Sequence, residues 1–146
     1  MVTSSRQTEA TGEVFRWPIR VYYEDTDAGG VVYHANYVRF FERARCELLR
    51  AMGFELDELR EREDLLFVVR SMELDFLKPA KFNELLSVTT EIEQVKAASL
   101  VFKQTAWRGD EALCRATVKV ACLAAEAFRP KPLPDFILRR LRGASS

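Results

Sequence analysis

The chain has 146 residues, 48% of them apolar, and 22 Lys and Arg balance 22 Asp and Glu. That is enough apolar material for one buried core and too much for a disordered chain. The even charge argues against a nucleic-acid binder, which carries a basic excess, and no apolar run reaches the ~20 residues of a membrane span.

Residues 1–12 are rich in Ser, Thr, Gln and Gly and read as a loose tail without the apolar centre of a signal peptide. This places the protein in the cytoplasm, with membrane contact peripheral at most. Cys46, Cys114 and Cys122 are odd in number and form no CxxC, so they read as reduced, structural thiols. From 13 to 23 the pattern alternates, with Phe15, Trp17, Ile19, Val21 and Tyr23 on one face of a strand. Pro18 favours an edge position for it. A turn follows over 24–35. Asn36 is placed to cap a long helix whose apolar positions are Tyr37, Phe40, Phe41, Ala44, Leu48 and Met52, with Gly53 as terminator. A short polar helix is expected over 56–62.

Four more strands are expected. The first covers 65–77, with Leu66, Val68, Met72, Leu74 and Phe76 on one face; the others cover 85–95, 99–107 and 112–125. Short connections make the last three antiparallel neighbours. The segment 129–146 opens with Pro130, Pro132 and Pro134, ends in DFILRRLR, and reads as a basic, solvated C-terminal end. The class is α+β. One helix is about 10 Å across and five strands span roughly 24 Å, so the helix alone does not cover the sheet. Phe67, Val69, Leu77, Leu113 and Leu123 give the strands a second apolar face, which predicts a homodimer joined edge to edge, with tetramers as the next step.

The reactive groups gather in YYEDTDAGGVVYHANY, residues 22–37. It contains the chain's one histidine. Turn chemistry explains some of this, since Asp and Gly make turns and Asn caps helices. A Cys46–His34 nucleophile pair is disfavoured by the helical position of Cys46. Metal binding by Asp25, Asp27 and His34 offers too thin a ligand set. The arrangement suits attack on an activated carbonyl. Amides around Tyr33, His34 and Ala35, at a helix N-terminus, stabilise an oxyanion, and Gly29 and Gly30 allow positive φ and close substrate approach. Asp27 then attacks directly or activates water, with His34 and Tyr23 assisting. A carboxylate is a weak base at neutral pH, so the substrate must already be reactive. A thioester is, because its leaving thiol has a pKa near 8.5.

At this point VYYEDTDAGGVVYHANYVRFFERAR, residues 21–45, resembles the acyl-CoA thioesterases associated with the Tol–Pal system, within the 4-hydroxybenzoyl-CoA thioesterase family. The likeness continues through FVVRSMELDFLKPA and residues 98–102. It implies a hotdog fold over residues 13–128: a long helix wrapped by a five-stranded antiparallel sheet. It implies hydrolysis of short-chain or aromatic acyl-CoA, Asp27 as the essential carboxylate with His34 and Tyr23 beside it, no metal or cofactor, and dimers often paired into tetramers. Some members act with acyl carrier protein or near the inner membrane. The alternative reading is therefore a module that binds acyl carrier protein or a phospholipid enzyme. A hotdog dehydratase finds no matching motif. Phe40, Phe41, Phe67 and Met72 are candidates for the acyl pocket, and Lys78, Lys81 and Arg70 for contacts to the phosphates of coenzyme A.

Overall fold

The alternation from Phe15 onward builds β1 (Phe15–Arg20), with Phe15 and Ile19 turned into the core. The computed structural model describes residues 14–145, so the tail expected over 1–12 lies outside the described residues. The remaining elements are α1 (Asn36–Ala51), α2 (Leu56–Glu63), β2 (Leu65–Phe76), β3 (Leu85–Lys96), β4 (Ser99–Arg108), β5 (Glu111–Ala124) and α3 (Asp135–Ala144). The five strands form one antiparallel sheet in the order β1-β3-β4-β5-β2. Pro18, which has no N–H to donate, sits on edge strand β1 as expected.

Helix α1 lies on one face of this sheet. Its residues Phe40, Phe41, Ala44 and Leu48 are buried, in one core with Val88, Ile92, Phe102 and Val118. Gly53 ends the helix as the sequence suggested, at φ 94. The Gly53 N–H donates to the Arg50 carbonyl at 2.9 Å and the Phe54 N–H to the Leu49 carbonyl at 2.8 Å, the paired bonds of a Schellman motif. Asn36 is not the cap. It is the first helical residue, and its side-chain amide donates to the Asp25 carbonyl at 2.8 Å.

Three expectations change. The face Leu66, Val68, Met72, Leu74, Phe76 is broken by a bulge at Arg70, where the pairing with β5 slips by one residue. A one-residue slip exchanges the two faces of a strand. Phe67 therefore joins Met72 and Leu74 against the core, and Val69 opens towards α1. Leu113 is also buried within the chain. The second apolar face on which the dimer was argued thus loses Phe67 and Leu113 to the core, while Val69 and Leu77 stay exposed.

The third change concerns the C-terminus. The described part of the C-terminal segment, residues 129–145, is not a solvated end: α3 docks Ile137 and Leu141, both 0% exposed, into the core. Burial of each contributes about 1.5–3 kcal/mol. The Arg140 guanidinium donates to the Met52 carbonyl at 2.8 Å and lies 5.2 Å from the Phe54 ring centroid, which ties α3 to the C-terminus of α1. The charges of Arg139 and Arg142 stay in solvent. Among the described residues, no helix is long and apolar enough to cross a membrane.

Candidate active site

After β1 the chain makes a single 3-10 turn, Tyr23–Asp25, which ends the strand alternation. Tyr23 consequently leaves the face of Phe15 and Ile19. It is 80% exposed, with its ring edge-on to Phe82 at 6.0 Å. Among the described residues its hydroxyl makes no hydrogen bond to Asp27 or His34.

The two aspartates of the motif have different tasks. Asp25 is buried, and its Oδ2 accepts the Tyr22 N–H at 2.8 Å. Its carbonyl accepts two protons, from the Tyr33 amide at 3.0 Å and from the Asn36 side chain at 2.8 Å. Asp25 is the peg that fastens the turn to the start of α1. Asp27 is exposed at the tip of a tight hairpin closed by the Thr26–Val32 bridge. Its Oδ1 accepts the Gly29 N–H at 2.8 Å, and its Oδ2 accepts no hydrogen bond from the described residues. Each carboxylate holds a different amide, and among the described residues no three His, Cys, Asp or Glu side chains gather as a metal site would require.

Gly30 adopts φ 80 and its N–H donates to the Asp27 carbonyl, so the turn needs glycine there. Gly29 does not have positive φ; its requirement is space, since a Cβ there would stand 3.3 Å from Asp27 Oδ1.

The residues leading into α1 present the expected amides unequally. The Tyr33 N–H is already committed to Asp25, which removes it from the candidate oxyanion donors. Among the described residues, the N–H groups of His34 and Ala35 donate no hydrogen bond. They lie at the start of the helix, where unpaired N–H donors and partial positive charge favour an anionic oxygen. The His34 ring is exposed, 4.4 Å from the Tyr33 ring and 6.1 Å from Phe76, at the rim of a cleft lined by Val32, Tyr37, Phe76, Leu77 and Pro79. Among the described residues, Asp27 and His34 are not hydrogen-bonded to each other.

The loop leading from β2 into β3 holds this end of the molecule. The Ala80 carbonyl accepts the Val32 N–H at 2.8 Å, while the Ala80 N–H donates to the Tyr37 hydroxyl at 3.2 Å. Burial raises the Tyr37 pKa and keeps the phenol neutral. Around the same loop, Arg108 pairs with Glu84 at 2.9 Å and Glu111 at 2.7 Å, and Lys78 pairs with Glu111 at 2.8 Å. Hydrogen bonds from Lys78 and then Arg108 hold the Glu111 carboxyl below its ordinary value. Lys78 thus already has an anionic partner, whereas Lys81 and Arg70 are exposed.

Burial raises the Cys46 thiol, the opposite of what a nucleophile needs, and pushes Cys114 and Cys122 up to about 12.

The thioesterase superfamily model matches residues 29–115. The chain belongs to that superfamily. Among relatives of this thioesterase-superfamily chain, the Haemophilus influenzae acyl-CoA thioesterase YbgC is 49% identical over 120 residues, 82% of this chain and 88% of that one. An Escherichia coli O6:H1 protein, acyl-CoA thioester hydrolase YbgC, is 45% identical over 88% of this chain and 96% of its own. The crystal structure of a probable thioesterase from Bartonella henselae superimposes with a TM-score of 0.80 at 40% identity, covering 83% of this chain and 99% of that one. The hotdog fold implied by the motif is therefore the fold of this thioesterase-superfamily member.

Two features of the site escaped the sequence reading. Tyr37 was placed in the motif and on the apolar helix face, but its bond to Ala80 depends on a contact between residues 43 apart. Arg45, buried between α1 and the sheet, stood in the family-like stretch 21–45 without a role of its own. Its spacing was the signal: it stands four residues after Phe41 and three before Leu48, on the apolar stripe.

Proposed function

We propose that this chain hydrolyses acyl-CoA thioesters to a free acid and coenzyme A, with Asp27 as the reacting carboxylate. The observation that carries this reading is the contrast within the DTD motif. Asp25 is buried in the turn as a fastener, while Asp27 is exposed, steadied through one oxygen, on the hairpin that feeds the first turn of α1. The hydrolase relatives at 45–49% identity support the same reaction class.

In this reading the thioester carbonyl oxygen takes the N–H groups of His34 and Ala35, the donors left open at the helix start. Asp27 removes a proton from water as the water oxygen bonds to the carbonyl carbon, or bonds to that carbon itself and is released by water in a second step. The carbon–sulfur bond then breaks. The thiolate leaves with little acid assistance because its pKa is near 8.5. His34, on the cleft rim, orients the water or the carbonyl. Tyr23 and Phe82 form an exposed aromatic pair that closes over a bound acyl-CoA. Short-chain or aromatic acyl groups suit the apolar cleft of Val32, Phe76 and Leu77.

The same reading includes a homodimer through the open edge of β2, where Val69 and Phe76 are exposed, and an intracellular, cytoplasmic setting. A panel of acyl-CoA substrates with a thiol-trapping dye tests the function: turnover on short-chain or aromatic members is expected, and negligible turnover on every member contradicts it. Light scattering on a sizing column tests the dimer, which a monomer at micromolar concentration contradicts.

A further inference from the structure

The loop 77–84 between β2 and β3 holds both halves of the candidate site, and it does so through one residue, Ala80, which is 0% exposed. The Ala80 carbonyl accepts the Val32 N–H at 2.8 Å. Beside it Lys81 bridges to Val31, whose carbonyl accepts the Asp27 N–H at 2.9 Å. In the other direction the Ala80 N–H donates to the hydroxyl of Tyr37, in the first turn of α1. Ala80 thereby sets the hairpin of Asp27 against the helix start that carries the His34 and Ala35 amides.

What holds Ala80 comes from another hairpin. Arg108 is the last residue of β4, and its Nη1 donates to the Pro79 carbonyl at 3.1 Å and to Glu84 Oε1 at 2.9 Å. The same Glu84 oxygen accepts the Lys81 N–H at 2.8 Å, and the Glu84 N–H donates to the Lys81 carbonyl at 3.2 Å. The two neighbours of Ala80 are thus tied to one guanidinium nitrogen, Pro79 directly and Lys81 through Glu84. Nε and Nη2 donate to Glu111 Oε1 at 3.1 and 2.7 Å, which fixes the plane of the guanidinium. Among the described residues Arg108 makes no hydrogen bond to Asp27 or His34.

We infer that Arg108 is a positioning residue for the hydrolysis. By clamping Pro79 and Glu84 it holds Ala80, and through Ala80 it keeps the Asp27 carboxylate at reacting distance from a carbonyl bound at the His34 and Ala35 amides. This role rests on the function proposed above. A misplacement of about 1 Å between reacting groups costs up to ~10²-fold in rate, so a side chain remote from the chemistry governs kcat. The ion pairs of Arg108 are partly exposed and add little to global stability. Loss of the clamp is therefore read in turnover and not in melting.

The test is steady-state kinetics of Arg108→Gln on an acyl-CoA that the parent protein turns over. kcat falls about 10- to 100-fold, KM stays within about twofold, and the melting temperature stays near the parental value. Arg115→Gln, at an exposed position of β5, makes the same change in net charge and leaves both constants unchanged. Glu84→Ala lowers kcat as Arg108→Gln does, and the double variant loses no more than the worse single one, because both act through one loop. Amide exchange at Val32 and Ala80 speeds up in Arg108→Gln while that at Val118, in the core, does not. Parental kcat in Arg108→Gln overturns the proposal, as do fully additive losses. So does a rise in KM alone, which marks a direct contact with the phosphates of the substrate. No turnover by the parent itself overturns the function instead, and the exchange rate at Ala80 then shows separately whether the clamp exists.

Discussion

The Asp25 carbonyl accepts the Tyr33 amide proton at 3.0 Å, and this bond sets the position of everything between them. It spans the hairpin that carries Asp27 and fixes where α1 begins. The loop is thus anchored from inside by one aspartate so that the next one can stand free.

Asp25→Ala removes the acceptor for the Tyr22 N–H and leaves that amide without its partner, at a cost of about 1–3 kcal/mol. Asp25→Asn keeps an acceptor oxygen and costs less. Urea unfolding curves of the two variants check the order. An Asp25→Ala protein as stable as the parent contradicts the fastening role.

Tyr37→Phe deletes the hydroxyl that accepts the Ala80 N–H in a buried position. About 1–3 kcal/mol is lost again, and the loop carrying Lys78 and Pro79 loosens at the cleft. Amide hydrogen exchange at Ala80 reads the local effect directly, with faster exchange expected in the variant.

Gly53→Ala places a Cβ at φ 94 and brings it to 2.9 Å from the Arg140 guanidinium. The strained backbone alone costs on the order of 1 kcal/mol or more, and displacement of Arg140 weakens the docking of α3. A lowered melting temperature is expected, while Gly143→Ala, where a Cβ has open space, leaves it unchanged.

Much of this was legible in advance because it is local. Alternation at Cys114, Ala116, Val118, Val120 and Cys122 announced β5, and helical spacing from Tyr37 to Leu48 announced α1. The features that were misread depend on partners distant in sequence. Nothing in residues 65–77 marks Arg70 as a bulge; the slip appears only in the pairing with β5. Ile137 and Leu141 follow a run of prolines in a basic segment, and only the docking of α3 beside β3 makes them core. In the site, the sequence reading already preferred Asp27 to Asp25, and the family likeness pointed the same way. The physical distinction, one carboxylate turned inward and one outward, came from the 3-10 turn.

Stability on the acid side carries the signature of Glu111. Its carboxyl, paired first with Lys78 and then with Arg108, titrates lower in the folded chain than the ordinary value of 4.5. Such a group stabilises the fold above its unfolded pKa, and the contribution is lost as the pH falls through the lowered folded value. Glu111→Gln therefore flattens the dependence of the urea midpoint on pH below the glutamate range. The pairs are partly exposed, so the difference shrinks in high salt.

His34→Ala lowers kcat by about 10²–10⁴-fold, the usual worth of a positioned acid–base or orienting group. Folding is unaffected, because the ring is exposed. Near-UV circular dichroism checks the fold and the thiol-trapping assay checks the rate.

The most direct test is thiol release by Asp27→Asn on an acyl-CoA that the parent protein turns over. Asn keeps an oxygen to accept the Gly29 N–H, so the hairpin is expected to hold and the urea midpoint to match the parent. Loss of thiol release in a variant of unchanged stability is the predicted result. Parental turnover by Asp27→Asn would mean that the exposed carboxylate of the motif is not the group that drives the reaction.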